Sequence, residues 1–162
     1  MTMFEFAIIA SGLDSDADDF EDRFFAAGCD DATVAVSRGA IVLDFSREAA
    51  NPEDAINSAI ANVEAAGATV ERIEPDNLVS LADIAERANL TRAAITHYAK
   101  GERRENFPIP VARVTTQSPL WDWTDVAEWL FARSRITEED VTFARIIRAR
   151  NRKLRERHSR AA

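Results

Sequence analysis

The side chains that most often carry covalent or metal chemistry are scarce in this sequence. The chain has one cysteine, Cys29, and two histidines, His97 and His158, among 162 residues. A lone cysteine cannot form an intrachain disulfide, and these three residues do not have the spacing of a zinc site. We therefore expect no metal, and we interpret Cys29 as a small residue that is buried or half-buried.

One acidic run imitates the opening of a calcium-binding loop. Asp14, Asp16 and Asp18 alternate as such a loop requires, but its sixth position is Asp19 instead of glycine and its twelfth is Phe25 instead of glutamate. We interpret the aspartates as charges that cap and solvate a helix. The sequence has no glycine-rich phosphate loop, nucleophile elbow or histidine-containing dyad, so we expect neither an enzyme nor a cofactor.

Charge is distributed unevenly along the chain, whose formal net charge is -8. Residues 1–77 hold 17 acidic and 4 basic side chains, residues 78–134 hold 7 of each, and residues 135–162 hold 4 acidic and 9 basic. Screening confines the field of each patch to about 8 Å, so the overall acidity does not exclude a nucleic-acid site. The charge shift predicts an acidic domain at 1–77, a second domain at 78–134 and a basic helical tail at 135–162.

The stretch 80–101 predicts two short helices joined by a tight turn. Ser80 and Asp83 have the spacing of a capping box, and apolar residues follow at helical intervals. Thr91 offers the N-cap of a second helix, which Gly101 can end. Two helices joined in this way form the helix-turn-helix unit, whose second helix enters the major groove when it binds DNA.

The acidic half has the pattern strand, helix, strand, strand, helix, strand, with a hairpin turn at Arg38-Gly39 and an N-cap at Asn51. The predicted strands are Met3–Ala10, Thr33–Ser37, Ala40–Phe45 and Ala68–Glu74. This order is the split βαβ arrangement of ferredoxin-like domains, and it predicts an α+β fold class. Such a sheet can pair with a second copy or with a partner protein, or it can serve as a folded scaffold.

Beyond Gly101, Pro108 and Pro110 exclude a helix. Val111–Thr115 and Leu120–Trp123 are predicted to pair as the strands of a wing. Thr124 is predicted to cap the next helix. The apolar face of this helix would close a small core with the tryptophans, which we interpret as core residues and not as a surface that stacks on bases. The predicted core residues are Trp121, Trp123, Val126, Ala127, Trp129 and Leu130.

Three segments follow one another in this half: SLADIAERANLTRAAITHY, FPIPVARV and SPLWDWTDVAEWL. Together, over about residues 79–132, they resemble the AlpA and excisionase type of winged helix-turn-helix domain, a relative of the MerR-type DNA-binding domain. The resemblance implies DNA binding, often in bacterial regulators linked to phages or mobile elements.

The same resemblance implies roles for individual residues. It places Ile95 and Tyr98 in the core. The implied recognition-helix contacts are Thr91, Arg92, Thr96, His97 and Lys100. The implied contacts from the wing region are Arg103, Arg104 and Arg113 to phosphates, with Gln117 at the wing tip.

The tail begins with a capping box at Thr137 and Asp140. It continues as a long helix with a narrow apolar stripe, whose members are Val141, Ala144, Ile147 and Leu154. Residues 145–160 hold eight basic side chains against one acidic side chain, Glu156. Four interpretations stay open: an arm that contacts DNA phosphates, a helix that pairs with its twin, a helix that folds back on the acidic half, or a solvated tail.

These observations predict a transcriptional regulator that binds double-stranded DNA and carries an N-terminal interaction or dimerisation domain. The alternative is a protein-interaction module, antitoxin-like or phage-encoded, that works through its acidic domain. The sequence has no apolar run of about 18 residues and no signal-peptide pattern at its start, so we expect a cytoplasmic protein without a membrane partner.

Overall fold

The computed structural model describes residues 1–75, 77–101 and 106–161, and the predicted α+β class is confirmed. The described residues form six helices, a four-stranded sheet and a two-stranded sheet. The chain divides into unit 1, which is Met1–Pro75 with Ala149–Ala162, and unit 2, which is Asp76–Arg148. The residues predicted as a separate basic tail are therefore divided between the two units.

Unit 1 is built on an antiparallel sheet. Its elements in chain order are β1 (Thr2–Ser11), α1 (Phe20–Ala26), β2 (Ala32–Ser37), β3 (Ala40–Ala49), α2 (Pro52–Ala65) and β4 (Thr69–Glu74). The strands lie in the order β2-β3-β1-β4, and each neighbouring pair is antiparallel. The predicted alternation of strands and helices is observed along the chain.

Local signals explain where these elements begin and turn. Arg38 and Gly39 both have positive φ, 51° and 85°, which is the backbone of a two-residue hairpin turn. Asn51 caps α2, because its Oδ1 accepts from the Asp54 N–H at 2.8 Å. The prediction that the aspartates cap α1 is wrong, since Asp19 holds the N-cap position without a side-chain hydrogen bond and the residues before it form turns.

The core of unit 1 lies on one face of the sheet. Phe6 opposes Phe45 and Ile8 opposes Leu43 in the β1–β3 register, and all four side chains are buried. The two phenylalanine rings stack with their centroids 5.4 Å apart. Helix α2 packs against β1, β3 and β4, and it contributes five buried apolar residues: Ala55, Ile56, Ala59, Ile60 and Val63.

Unit 2 is a small helical domain closed by a two-stranded sheet. Its elements are β5 (Leu78–Val79), α3 (Leu81–Ala88), α4 (Arg92–Ala99), β6 (Trp121–Asp122), α5 (Trp123–Ala132) and the first turns of α6 (Glu138–Ala161). Strand β5 pairs antiparallel with β6. All three tryptophans are buried in its core, as predicted, with Val126, Ala127 and Leu130.

The predicted wing differs from the structure. Val111–Thr115 is not a strand, and a single bridge joins Ala112 to Leu120. Two features shorten the pairing: Pro108 and Pro110 have no N–H to donate, and Arg113 turns the chain with φ 55°. Residues 121–122, which are predicted to belong to the wing, pair with β5 instead.

The predicted cap of α5 is also wrong by two residues. Asp122 caps the helix, because its Oδ1 accepts from the N–H groups of Thr124 at 2.9 Å and Asp125 at 3.4 Å. Thr124 is fully buried, and its hydroxyl donates to the carbonyl of Ala144 at 3.3 Å. A carboxylate that can reach two N–H groups is a better acceptor here than a hydroxyl held in the core.

Helix α6 begins with the predicted capping box, in which Thr137 and Asp140 exchange hydrogen bonds of 3.2 and 3.1 Å. The predicted apolar stripe is confirmed, since each of its four members is buried: Val141, Ala144, Ile147 and Leu154. Residues from Ala149 onward belong to unit 1. Of the interpretations left open for the tail, the structure shows the end of the helix folded back on the acidic half.

Three polar contacts fix that end of α6 on unit 1. Asn151 bonds both backbone groups of Ile73, at 2.8 Å to the N–H and 2.9 Å to the carbonyl. Arg150 donates to the side-chain oxygen of Asn57. Arg157 forms an ion pair with Glu64 at 3.5 Å. The contact between Asn151 and Ile73 is buried and specific, because an amide side chain offers both the acceptor and the donor that the N–H and carbonyl of a strand edge require.

Candidate nucleic-acid interface

The turn between α3 and α4 is set by consecutive capping contacts. Ser80 Oγ accepts from the Asp83 N–H at 3.2 Å, and the Asp83 carboxylate accepts from the Ser80 N–H at 2.9 Å, so the predicted capping box is confirmed. Asn89 ends α3 in the left-handed region with φ 53°. Thr91 Oγ1 then accepts from the Ala94 N–H at 3.1 Å and starts α4.

One side of α4 is held by the core of unit 2. Ile95 is fully buried, and the Tyr98 ring packs edge-on against Trp129 with the centroids 4.9 Å apart. Both residues therefore occupy the core positions predicted for them. Because these anchors lie three residues apart on a helix, they fix the rotation of α4 about its own axis.

The opposite side of α4 is open to solvent. Five side chains line a shallow depression there: Arg92, Ala93, Thr96, His97 and Lys100. Arg92 and Lys100 are exposed, while Thr96 and His97 are half-buried. The two basic residues stand about 12 Å apart along the helix axis, at 1.5 Å per residue. In the part of the chain that the structure describes, neither basic side chain forms an ion pair.

The residue types on this face are ones that can contact DNA. An α-helix fits the major groove, where an arginine can donate two hydrogen bonds to guanine and a threonine can contact several bases. A lysine at the far end of the helix can contact a phosphate. The structure thus brings together four of the predicted contacts: Arg92, Thr96, His97 and Lys100. Thr91, the fifth, is exposed at the start of the helix, and its oxygen already serves as the cap.

The predicted contacts of the wing region lie on a separate turn. Arg113 and Gln117 are exposed, and the Arg113 carbonyl accepts from the Thr116 N–H at 3.1 Å and from its hydroxyl at 2.8 Å. These bonds close a tight turn around residues 113–116. Arg103 and Arg104 lie outside the described residues.

The segment that carries the proline motif is anchored to the core. The Phe107 ring contacts Trp129 at 5.0 Å and Trp121 at 6.2 Å, measured between ring centroids. The indole N–H of Trp121 donates to the Pro108 carbonyl at 2.9 Å. A proline carbonyl has no competing helix partner here, so it is available to satisfy the buried indole. This packing gives a structural reason for the FPIP sequence beside the two tryptophans.

Several other basic side chains of unit 2 are engaged within the protein, which sequence reasoning did not foresee. Arg133 stacks on Trp129 at 3.7 Å and Arg87 lies over Trp123 at 5.3 Å, each measured to the ring centroid. Arg148 pairs with Asp122 and Asp125, at 3.4 and 3.1 Å. These contacts distinguish the arginines that stabilise unit 2 from Arg92, which remains exposed on α4.

Which basic residues of α6 are exposed and which are paired within the protein was also not predicted from the sequence. Four of them are exposed and form no ion pair with any described residue: Arg152, Lys153, Arg155 and Arg160. Helical spacing provides the missing signal for Arg152, Lys153 and Arg160, which lie about 100° or more around the helix from the buried Asn151 and Leu154. Arg155, four residues after Asn151, borders the buried side. The exposed face of α6 is therefore a second basic surface.

The described residues contain no group of three or more His, Cys, Asp or Glu side chains placed to hold a metal ion. None of the described helices is both long enough and apolar enough to cross a bilayer. Comparisons of the chain with protein-family models, with curated proteins and with solved structures found no match.

Proposed function

We propose that this protein binds double-stranded DNA through α4 and acts as a transcriptional regulator. The observation that carries the proposal is the exposed face of α4, where Arg92, Thr96, His97 and Lys100 share one side of a helix that two core residues hold in place. In this proposal, α3 and α4 are the helix-turn-helix, and the turn around Arg113 and Gln117 is a reduced wing.

Three features support this assignment. The α3–α4 turn is short and capped at both helices, as a helix-turn-helix requires. The core of unit 2 buries the opposite side of α4 and leaves the basic side open. The resemblance of residues 79–132 to the AlpA and excisionase type of domain gives the same orientation for α4.

Unit 1 has the features of a ferredoxin-like domain, and we assign it to that class as part of the proposal. The support is its element order together with the sheet order β2-β3-β1-β4. Such a fold has no single function. Its role here would be interaction or dimerisation, because residues 1–75 of unit 1 are predominantly acidic and unsuited to binding phosphates.

The proposal is tested by replacing Arg92 with alanine in the full-length chain. A duplex is first selected from a random pool by the wild-type protein, and affinity is then measured by fluorescence anisotropy at one fixed salt concentration. If Arg92 contacts a base, the substitution costs about 1–3 kcal/mol of binding free energy. Helix α4 itself should persist, since Arg92 is exposed and makes no capping bond.

A charge-matched control separates base contact from a general loss of positive charge. Arg23 is a half-exposed arginine on α1 in the acidic unit, paired with Asp19 at 4.0 Å. Arg23→Ala removes the same charge and should leave affinity unchanged. Equal affinity of the wild type and Arg92→Ala would remove α4 from the proposed interface.

A further inference from the structure

The two edge strands of the four-stranded sheet, β4 and β2, differ in their contacts with the rest of unit 1. At the β4 edge, Asn151 of α6 pairs with the N–H and the carbonyl of Ile73, and His158 Nε2 lies 3.0 Å from the carbonyl of Val70. At the other edge, β2 pairs with β3 and with no other described strand. Among the described residues, side chains of α6 thus bond to the β4 edge, whereas the β2 edge pairs with no further strand.

The hairpin geometry identifies which backbone groups of β2 point outward. In a two-residue hairpin the residues that close the turn, here Ser37 and Ala40, exchange hydrogen bonds, and bonded pairs then recur at every second residue. The bond from the Ser46 N–H to the Asp31 carbonyl, 3.0 Å, follows this alternation. The N–H and carbonyl groups of Val34 and Val36 therefore point away from β3.

This edge lacks the features that normally prevent strand pairing. Residues 32–37, with the sequence ATVAVS, include no charged residue and no proline, and Val36 is 48% exposed. Natural edge strands are usually protected by lysine, proline, a bulge or a covering segment. An edge strand that lacks these protective features, and whose outward N–H and carbonyl groups bond to no other strand, can pair with a further strand.

We propose that β2 pairs antiparallel with β2 of a second copy of this chain, about a two-fold axis at Ala35. In this alignment Val34 opposes Val36 of the partner subunit, and their outward backbone groups exchange hydrogen bonds. Ala35 opposes its own copy, and Thr33 opposes Ser37 of the partner subunit, so that two hydroxyls meet. Directly opposed residues lie on the same face of a sheet, and this register keeps the two valines on the helix-covered face of both copies.

Charge complementarity at the ends of β2 supports a second copy as the occupant. Asp30 and Arg38 are both exposed and flank the strand. In the proposed register, the turn that carries Arg38 lies beside the turn that carries Asp30 of the partner subunit, and the two-fold axis creates this pair of opposite charges twice. No pair of like charges is brought together along the strand itself, although unit 1 as a whole is acidic. The proposal does not depend on DNA binding.

The axis at Ala35 allows a test by complementary charges. The full-length wild type should show a monomer–dimer equilibrium in sedimentation equilibrium from micromolar to millimolar concentration. Ala35→Lys and Ala35→Glu each place two like charges directly opposite one another, and each should weaken the dimer by about fivefold. A mixture of the two variants should restore association, because each heterodimer then opposes one lysine and one glutamate.

Ala35→Thr is the matched control, since it changes the same exposed position without adding charge and threonine is well suited to strands. It should dimerise as the wild type does. Circular dichroism spectra that match the wild type establish that the charged variants are folded. A wild type that stays monomeric throughout the concentration range overturns the proposal. So does a dimer that neither charged variant weakens, or a mixture that associates no better than each variant alone.

Discussion

Arg47 provides the sharpest test of what holds unit 1 together. Its side chain is 9% exposed and its guanidinium makes five hydrogen bonds. Two bonds of 2.8 Å reach the Asp31 carboxylate, and the acceptors of the other three are Ser58 Oγ, Asn62 Oδ1 and the Gly28 carbonyl. The hydrogen bond to Asp31 raises the pKa of the guanidinium. The arginine thereby links β3, α2 and the loop after α1.

Arg47→Ala removes all five bonds at once and leaves a partly buried carboxylate without its cation. Breaking a buried pair costs about 3–5 kcal/mol. The Asp31 side chain is 29% exposed and can be rehydrated, so we expect the lower end, about 3 kcal/mol. With a urea m-value of about 2 kcal/mol/M, the unfolding midpoint should fall by about 1.5 M.

The assay should follow circular dichroism, because all three tryptophans lie in unit 2 and their fluorescence reports on that unit. Arg72→Ala is the matched control: the Arg72 side chain is 51% exposed, and its ion pair with Glu74 should be worth about 0–1 kcal/mol. If Arg47→Ala and Arg72→Ala lower stability equally, the Arg47 network does not stabilise the fold and this reasoning fails.

Two further predictions concern buried groups of unit 1. Asn151→Ala leaves the N–H and carbonyl of Ile73 unpaired and should lower the unfolding free energy by about 1–3 kcal/mol. The matched control is Arg152→Ala, which changes an exposed neighbour and should alter the unfolding free energy little. Equal urea midpoints for the two variants would contradict this prediction. Burial raises the pKa of the Cys29 thiol from 9.0 to about 11. The folded state therefore keeps the thiol proton to a higher pH than the unfolded state does. As the pH rises from 9 toward 11, the unfolding free energy should fall by roughly 2–3 kcal/mol. Urea unfolding across this pH range should show the loss in the wild type and not in Cys29→Ala; the same loss in both proteins would exclude the thiol as its cause.

The elements that could be predicted from the sequence are those fixed by local chemistry. Ser80 and Asp83 cap α3 because both partners lie within one turn of helix. The hairpin at Arg38-Gly39 follows from the positive φ that glycine adopts readily. The stripe from Val141 to Leu154 follows from helical spacing. Each signal is complete within a few neighbouring residues.

The elements that were missed depend on competition between distant residues. Trp121 has the strand propensity expected of a wing, but β5, more than 40 residues earlier in the chain, pairs with Trp121 and Asp122. Thr124 is a good capping residue by type, yet Ala144 recruits its hydroxyl into the core and Asp122 takes the cap. The pairing with β5 and the contact with Ala144 are not visible in the residues that flank these positions.

The candidate site shows the same division. The arrangement of Arg92, Thr96 and Lys100 on one face was predictable, because Ile95 and Tyr98 mark the opposite side of a regular helix. The engagement of Arg87 by the Trp123 ring was not, since it depends on how α3 and α5 pack. The contact of Arg133 with Trp129 is local, because the two residues lie four positions apart at the end of α5. The binding role of the α4 face stays a prediction.

The most direct measurement of the central claim is the affinity of the full-length protein for its selected duplex at several salt concentrations. Binding through α4 predicts that the logarithm of the association constant falls linearly with the logarithm of the salt concentration, by about 0.9 for each phosphate contact. It also predicts that Arg92→Ala lowers affinity at every salt concentration while Arg23→Ala does not. A protein that selects no duplex and shows no binding even at low salt would contradict the claim.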